Sequence, residues 1–147
     1  MKRRTSLLMF SAIAGASLLS ACAVPSSPAA GGTAQLRVTG TVTYRERIAL
    51  DPAADIVVQL LDVSLMDAPS KVLAEQRIKA NGRQVPFAYE LKVDAARIDP
   101  RMRYAVSARI ASGEQLLFIN DTQYPVLTQG GATRADLVLV RATKAPR

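Results

Sequence analysis

Histidine and tryptophan are absent from the 147 residues, and cysteine occurs once. Such a chain has no second thiol for a disulfide, no ordinary zinc ligand set and no histidine-dependent catalytic triad. Aromatic residues are sparse, three phenylalanines and four tyrosines, too few to form stacking platforms for nucleic acid. Charge offers no substitute. Basic residues number 19 against 12 acids, but Lys2, Arg3 and Arg4 belong to a segment that reads as removable, which leaves 16 against 12. Those that remain mostly alternate with acids, as in Arg45-Glu46-Arg47 and along Arg97, Asp99, Arg101 and Arg103. A nucleic-acid partner, which wants a dense one-sided patch, is therefore not expected. The exception is the tail 142–147, where Lys144 and Arg147 follow Arg141 with no acid after Asp136. It reads as a solvated end, with a lipid-headgroup or partner contact as the alternative.

What is present starts with an export signal. Lys2, Arg3 and Arg4 form a positive n-region, and Leu7 to Leu19 is an apolar stretch interrupted only by small residues. It is shorter than the roughly 20 residues a spanning helix needs. Leu19-Ser20-Ala21-Cys22 follows and looks like the lipobox of bacterial lipoproteins, in which peptidase cleavage precedes a diacylglycerol-bearing cysteine. Residues 1–21 are thus expected to be a signal peptide and Cys22 a lipidation site, palmitate being a suitable label. The alternative is an ordinary signal peptide that leaves Cys22 as a free thiol. Residue 23 is alanine rather than the aspartate that commonly retains lipoproteins in the inner membrane. The expected location is the outer membrane, with the domain facing the periplasm. Segment 22–33 is rich in Pro, Ser, Ala and Gly and reads as a tether with a reach of ~20 Å.

From 34 to 141 the dominant period is two. Leu36, Val38, Val42 and Tyr44 alternate with polar residues, with Gly40 on the inner face as a bulge or close-packing point. Ile56 to Val63 reads as a central strand. Val72 to Lys79 alternates, although a helix from Ser70 to Asn81-Gly82 competes there. Val85, Phe87, Tyr89, Leu91 and Val93 form the cleanest stripe. Asp94 to Pro100 suggests one helical turn capped by Asp94. Tyr104 to Ile110 is a strand, Ser112-Gly113 a hairpin turn, Gln115 to Ile119 its partner, and Ala135 to Arg141 a final strand. The pattern predicts an all-β domain, an antiparallel β-sandwich of about seven to eight strands, with a barrel as its close variant.

Candidate chemistry is thin. Asp94 and Asp99 stand five apart across a turn; either is a general acid in principle, and a cap plus a turn aspartate is the plainer reading. Asn120-Asp121-Thr122 has oxygen ligands, but far fewer than the six to eight calcium takes, and suits a side-chain-bonded turn. Arg97, Arg101 and Arg103 form either an anion fork or salt bridges with the interleaved aspartates. No metal, cofactor or catalytic residue is assigned. Leu65-Met66 follows the second strand; these side chains either fold back over the core or present an adaptable partner surface.

Several blocks carry a resemblance: Val38-Thr39-Gly40-Thr41-Val42, Val58 to Ser64, Val85-Pro86-Phe87, Arg97 to Pro100, Tyr104-Ala105-Val106, Phe118 to Thr122 and Tyr124-Pro125-Val126. In order and spacing they resemble the YbaY-type lipoproteins, which share a domain with the YscW-like lipoprotein chaperones, or pilotins, of type III secretion. The resemblance spans Leu36 to Val140. It implies a β-sandwich on an outer-membrane lipid anchor, and a protein that carries a secretin subunit or other envelope protein. The expected function is that of a non-enzymatic binding or assembly module. The alternative is an envelope hydrolase, or a glycan- or peptidoglycan-binding lipoprotein.

Overall fold

The computed structural model describes residues 34–143. The expected signal peptide, Cys22, the tether up to residue 33 and the tail from Lys144 to Arg147 lie outside the described residues.

Period-two segments become strands because burying one face of each removes apolar surface from water. In β1 (Gln35–Tyr44), Val38, Gly40, Val42 and Tyr44 are buried while Thr39, Thr41 and Thr43 stay partly exposed. β2 (Asp55–Asp62), β3 (Lys71–Lys79) and β4 (Phe87–Asp94) follow, and in β4 Phe87, Tyr89, Leu91 and Val93 are all buried. A 3-10 turn spans Ala95–Arg97, capped by Asp94, whose Oδ1 accepts from the Ala96 N–H at 2.9 Å. β5 (Tyr104–Ser112), β6 (Gln115–Ile119), β7 (Tyr124–Val126) and β8 (Leu137–Arg141) complete the domain.

The strands make one sheet in the order β3-β2-β5-β6-β8-β1-β4, with β7 paired to β5. Its two end strands come back toward each other. Gln76 Oε1 on β3 accepts from the Glu90 N–H on β4 at 2.7 Å, and Arg97 donates to the Leu73 carbonyl at 3.1 Å. Side chains, rather than a backbone ladder, thus close a barrel-like all-β fold. Its interior holds Ile56, Val58 and Leu60 from β2, Ile110 from β5 and Leu137 and Leu139 from β8. The Tyr44 and Phe118 rings stack at 4.2 Å and 6° within it. Burial of each large aliphatic side chain contributes about 1.5–3 kcal/mol.

The domain is all-β as expected, with four refinements. β8 runs parallel to β1 through Val42↔Leu137, Thr43↔Val138 and Tyr44↔Leu139, whereas the other strand pairs are antiparallel. Residues 71–79 are strand rather than helix because β3 pairs with β2 along its length. The hairpin turns one residue later than expected, at Gly113-Glu114, with Gly113 at φ +57° as a two-residue turn opening on glycine requires. β7 is an addition to the expected strands: it is three residues long with Pro125 at its centre, and proline is confined to edge positions in a sheet.

Strand directions define two ends. The first residue of β1, the loop 63–70, the connection 95–103 and the chain after β7 gather at one end, here the N-terminal end. Ala95 N–H bonds the Ala34 carbonyl there at 2.8 Å, and Thr128 Oγ1 bonds the Met102 carbonyl at 2.7 Å. The loops 45–54 and 80–86 and the β5–β6 hairpin form the opposite end.

Entry into β8 is held by Asp136. Its carboxylate accepts from the Thr41 N–H at 2.9 Å, the Thr41 hydroxyl at 3.0 Å and the Arg134 guanidinium at 3.2 Å. The Arg134 bond first, then Thr41, hold this carboxyl below its ordinary range. Asp51, Glu75 and Asp99 are lowered too, the largest causes being bonds from Ser112, Gln59 and Arg101 respectively. A depressed carboxyl contributes stability that is fully present above the ordinary carboxylate range and is lost as pH falls through the folded value. Urea midpoints should therefore be flat between about pH 5 and 8 and drop below about pH 4. Asp136→Asn should make that acid slope shallower; an unchanged slope would show that Asp136 does not contribute.

Candidate functional site

Where β2 ends, the loop 63–70 is latched to the start of β5. Val63 N–H bonds the Arg103 carbonyl at 2.9 Å, extending the β2–β5 ladder by one residue. Ser64 then makes the turn: its hydroxyl donates to Asp62 Oδ1 at 2.6 Å and accepts from the Arg103 N–H at 2.9 Å. The Arg103 guanidinium reaches the Ser64 carbonyl at 3.5 Å. With its base held this way, the chain leaves the barrel, and Leu65 and Met66 are 73% and 89% exposed. The fold-back alternative is thereby excluded; both side chains are presented to the surroundings.

Beside them runs a furrow. A hollow of about 300 Å³ is lined by Val63, Leu65, Met66, Ala68, Arg103 and Gln123. A second, of about 120 Å³, shares Val63, Arg103 and Gln123 and continues past Ala105 to Pro125 on β7. The shared residues make it one furrow, apolar at the loop and polar at Arg103 and Gln123. Sequence reading missed Ala105, Gln123 and Pro125, because their placement depends on β7 pairing with β5.

The other candidates resolve into structural roles. Asp94 caps the 3-10 turn. Asp99 accepts from the Arg101 backbone at 2.9 Å and from its guanidinium at 3.0 Å, and this pairing keeps the carboxyl low and charged. The three arginines point to different partners: Arg97 to the Leu73 carbonyl, Arg101 to Asp99 and Arg103 to the Ser64 carbonyl. No anion fork forms. Asn120 Oδ1 accepts from Ser107 Oγ and Ala108 N–H, each at 2.9 Å, while its amide donates to the Thr122 carbonyl at 2.9 Å. That is the side-chain-bonded turn. Among the described residues, no group of three or more acids or thiols is placed to hold a metal ion.

A second surface was also missed. The β5–β6 register passes from Ile110↔Phe118 to Ala111↔Leu116 and skips Leu117. This bulge leaves Leu116 on the same outer face as Ile119, beside Val140 of β8, and all three are exposed. The run Leu116-Leu117-Phe118-Ile119 is apolar throughout, so its period carries no information about facing.

Comparison with known proteins agrees with the fold. The family model described as type III secretion system lipoprotein chaperone (YscW) matches residues 33–139. Over 106 residues the chain is 47% identical to the uncharacterized lipoprotein YbaY of Escherichia coli strain K12, covering 72% of this chain and 55% of that protein. The chain thus spans about half the length of that curated relative. Among solved structures, an alternative pilotin from the type II secretion system of Vibrio cholerae aligns with a TM-score of 0.72 at 42% identity, over 76% of this chain and 100% of the other. The resemblance seen in the sequence blocks is therefore borne out, and the chain belongs to the YscW family of lipoprotein chaperones.

Proposed function

We propose that this protein is a non-enzymatic, outer-membrane lipoprotein, anchored through Cys22 and facing the periplasm, that binds another envelope protein and assists its assembly. A secretin subunit is the partner we favour. Family membership supports a binding or assembly role. The observation that carries the site is the latched loop, which holds Leu65 and Met66 exposed above the furrow. A partner segment lying there would cover both side chains, at about 1.5–3 kcal/mol for each one fully buried. Arg103 and Gln123 would set its orientation, as the few polar groups in a peptide groove do. The hydrolase alternative is less well supported, since its candidate acids, Asp94 and Asp99, are each engaged in local turns.

A photoreactive residue at position 66, in cells that express the secretin, should give an adduct with the secretin subunit. The same probe at Ile48, at the opposite end, should not. Leu65→Asp combined with Met66→Asp should reduce co-purified secretin at least about tenfold without shifting Tm, because both positions are exposed. Equal crosslinking from positions 48 and 66, or none from either, removes the assembly reading.

A further inference from the structure

We propose that the N-terminal end of the barrel is a bilayer-contacting surface, with Leu65 and Met66 seated at the headgroup–acyl boundary whenever no protein segment fills the furrow. This inference rests on the lipid-anchor reading of Cys22 and concerns what the same loop does before a partner arrives.

Three observations converge. First, the chain enters the barrel at this end: the Ala34 carbonyl is bonded to Ala95 N–H, and Gln35 pairs with Asp94. Cys22 precedes Ala34 by 12 positions in the sequence. On the tether reading of 22–33, that length gives a reach of ~20 Å. Second, Leu65 and Met66 are the most exposed large apolar side chains among the described residues, and Met102, also exposed, lies at the same end. Third, the Ser64 latch to Asp62 and Arg103 fixes the loop base, so the tip stays projected rather than collapsing onto the core.

Tethering makes a weak contact sufficient. An anchor with this reach holds the tip at an effective concentration on the order of millimolar relative to the surface, so two apolar side chains suffice for frequent contact. Counter-charge is the smaller term. Arg101 is paired with Asp99, whereas Arg97 and Arg103 are bonded to the neutral Leu73 and Ser64 carbonyls and keep their charge. Apolar transfer carries most of the contact, which should therefore be only partly weakened by salt. The bilayer covers the very residues a partner would use, so partner capture lifts the tip from the membrane.

The absence of tryptophan makes the test direct. Met66→Trp places a single fluorescent reporter at the tip, and Ile48→Trp places one at the opposite end. Each full-length lipidated protein is reconstituted into vesicles of phosphatidylethanolamine and phosphatidylglycerol, with and without brominated acyl chains. The expected result for Met66→Trp is a blue-shifted emission quenched at least about twofold by the brominated lipid and largely retained in high salt. The Ile48→Trp reporter should keep solvent-exposed emission and be little quenched. Leu65→Trp should behave like Met66→Trp. If the protein floats with the vesicles but the tip reporter is quenched no more than the one at position 48, the anchor stands and the bilayer contact is wrong. A blue shift without bromine quenching would mean that protein, not lipid, covers the tip, and would also overturn it. If the protein does not float at all, the anchor reading fails and this inference falls with it.

Discussion

Gly40→Val should leave the protein unfolded, and Gly40→Ala should cost about 3–5 kcal/mol, a large share of the total for a domain of this size. A Cβ built at this position would lie 1.8 Å from the Ala135 carbonyl oxygen and 2.9 Å from the Tyr89 hydroxyl. Neither neighbour can give way cheaply. The Ala135 carbonyl accepts the buried Tyr89 hydroxyl at 2.6 Å, and Ala135 N–H bonds the Thr39 carbonyl at 2.9 Å. Thr39 N–H in turn bonds the Thr133 carbonyl at 3.0 Å. Moving residues 133–135 aside would break these bonds, each worth about 0.5–1.5 kcal/mol and more where a buried acceptor is orphaned. It would also detach the segment that feeds β8 into its place beside β1. Gly82→Ala is the control: Gly82 has φ +77° but nothing within 4 Å of an added Cβ. It should lose only about 1 kcal/mol of backbone strain. Urea denaturation followed by far-ultraviolet circular dichroism compares the two. A Gly40→Ala variant within about 1 kcal/mol of the parent would show that the segment relaxes.

Cys22→Ser should move the protein almost entirely from the membrane to the soluble fraction and abolish palmitate labelling. At about 0.8 kcal/mol per buried methylene, one acyl chain holds only marginally, whereas two or more form a stable anchor. Removing them costs on the order of 10 kcal/mol or more of membrane affinity, beyond what an apolar loop tip can replace. The thermal midpoint should not change, because the strands among the described residues lie between Gln35 and Arg141, away from Cys22 in the sequence. A Cys22→Ser protein that stays membrane-bound and labelled would refute the anchor. One that is soluble yet still crosslinks to the partner from position 66 would show that recognition and delivery are separable.

Faces were legible in the sequence because facing is a local property. Alternation in β1 and β4 named Val38, Val42, Phe87, Tyr89, Leu91 and Val93 as inward, and each is buried. The Asp94 cap and the Asn120–Thr122 bond were legible for the same reason, joining residues close along the chain, whereas the Asn120 bonds to Ser107 and Ala108 needed the fold. Family membership was also readable, since blocks in a given order and spacing are a linear property.

Neighbours were not legible, because pairing depends on which distant segments bury the most surface together. Nothing in residues 135–141 announces that β8 lies parallel to β1, about a hundred residues earlier in the chain. The run 116–119, apolar at every position, left its bulge undetermined until β5 imposed a register. Gly40 could be marked as a close-packing point, but only the tertiary structure supplied the Ala135 carbonyl that makes it indispensable. The same holds for the candidate site. Leu65 and Met66 stood out as two apolar residues after a strand, equally consistent with a loop folded inward or turned outward. What decided between these was the Ser64 hydroxyl bonding to Arg103, a contact across 39 positions that holds the loop base and leaves its tip in the open.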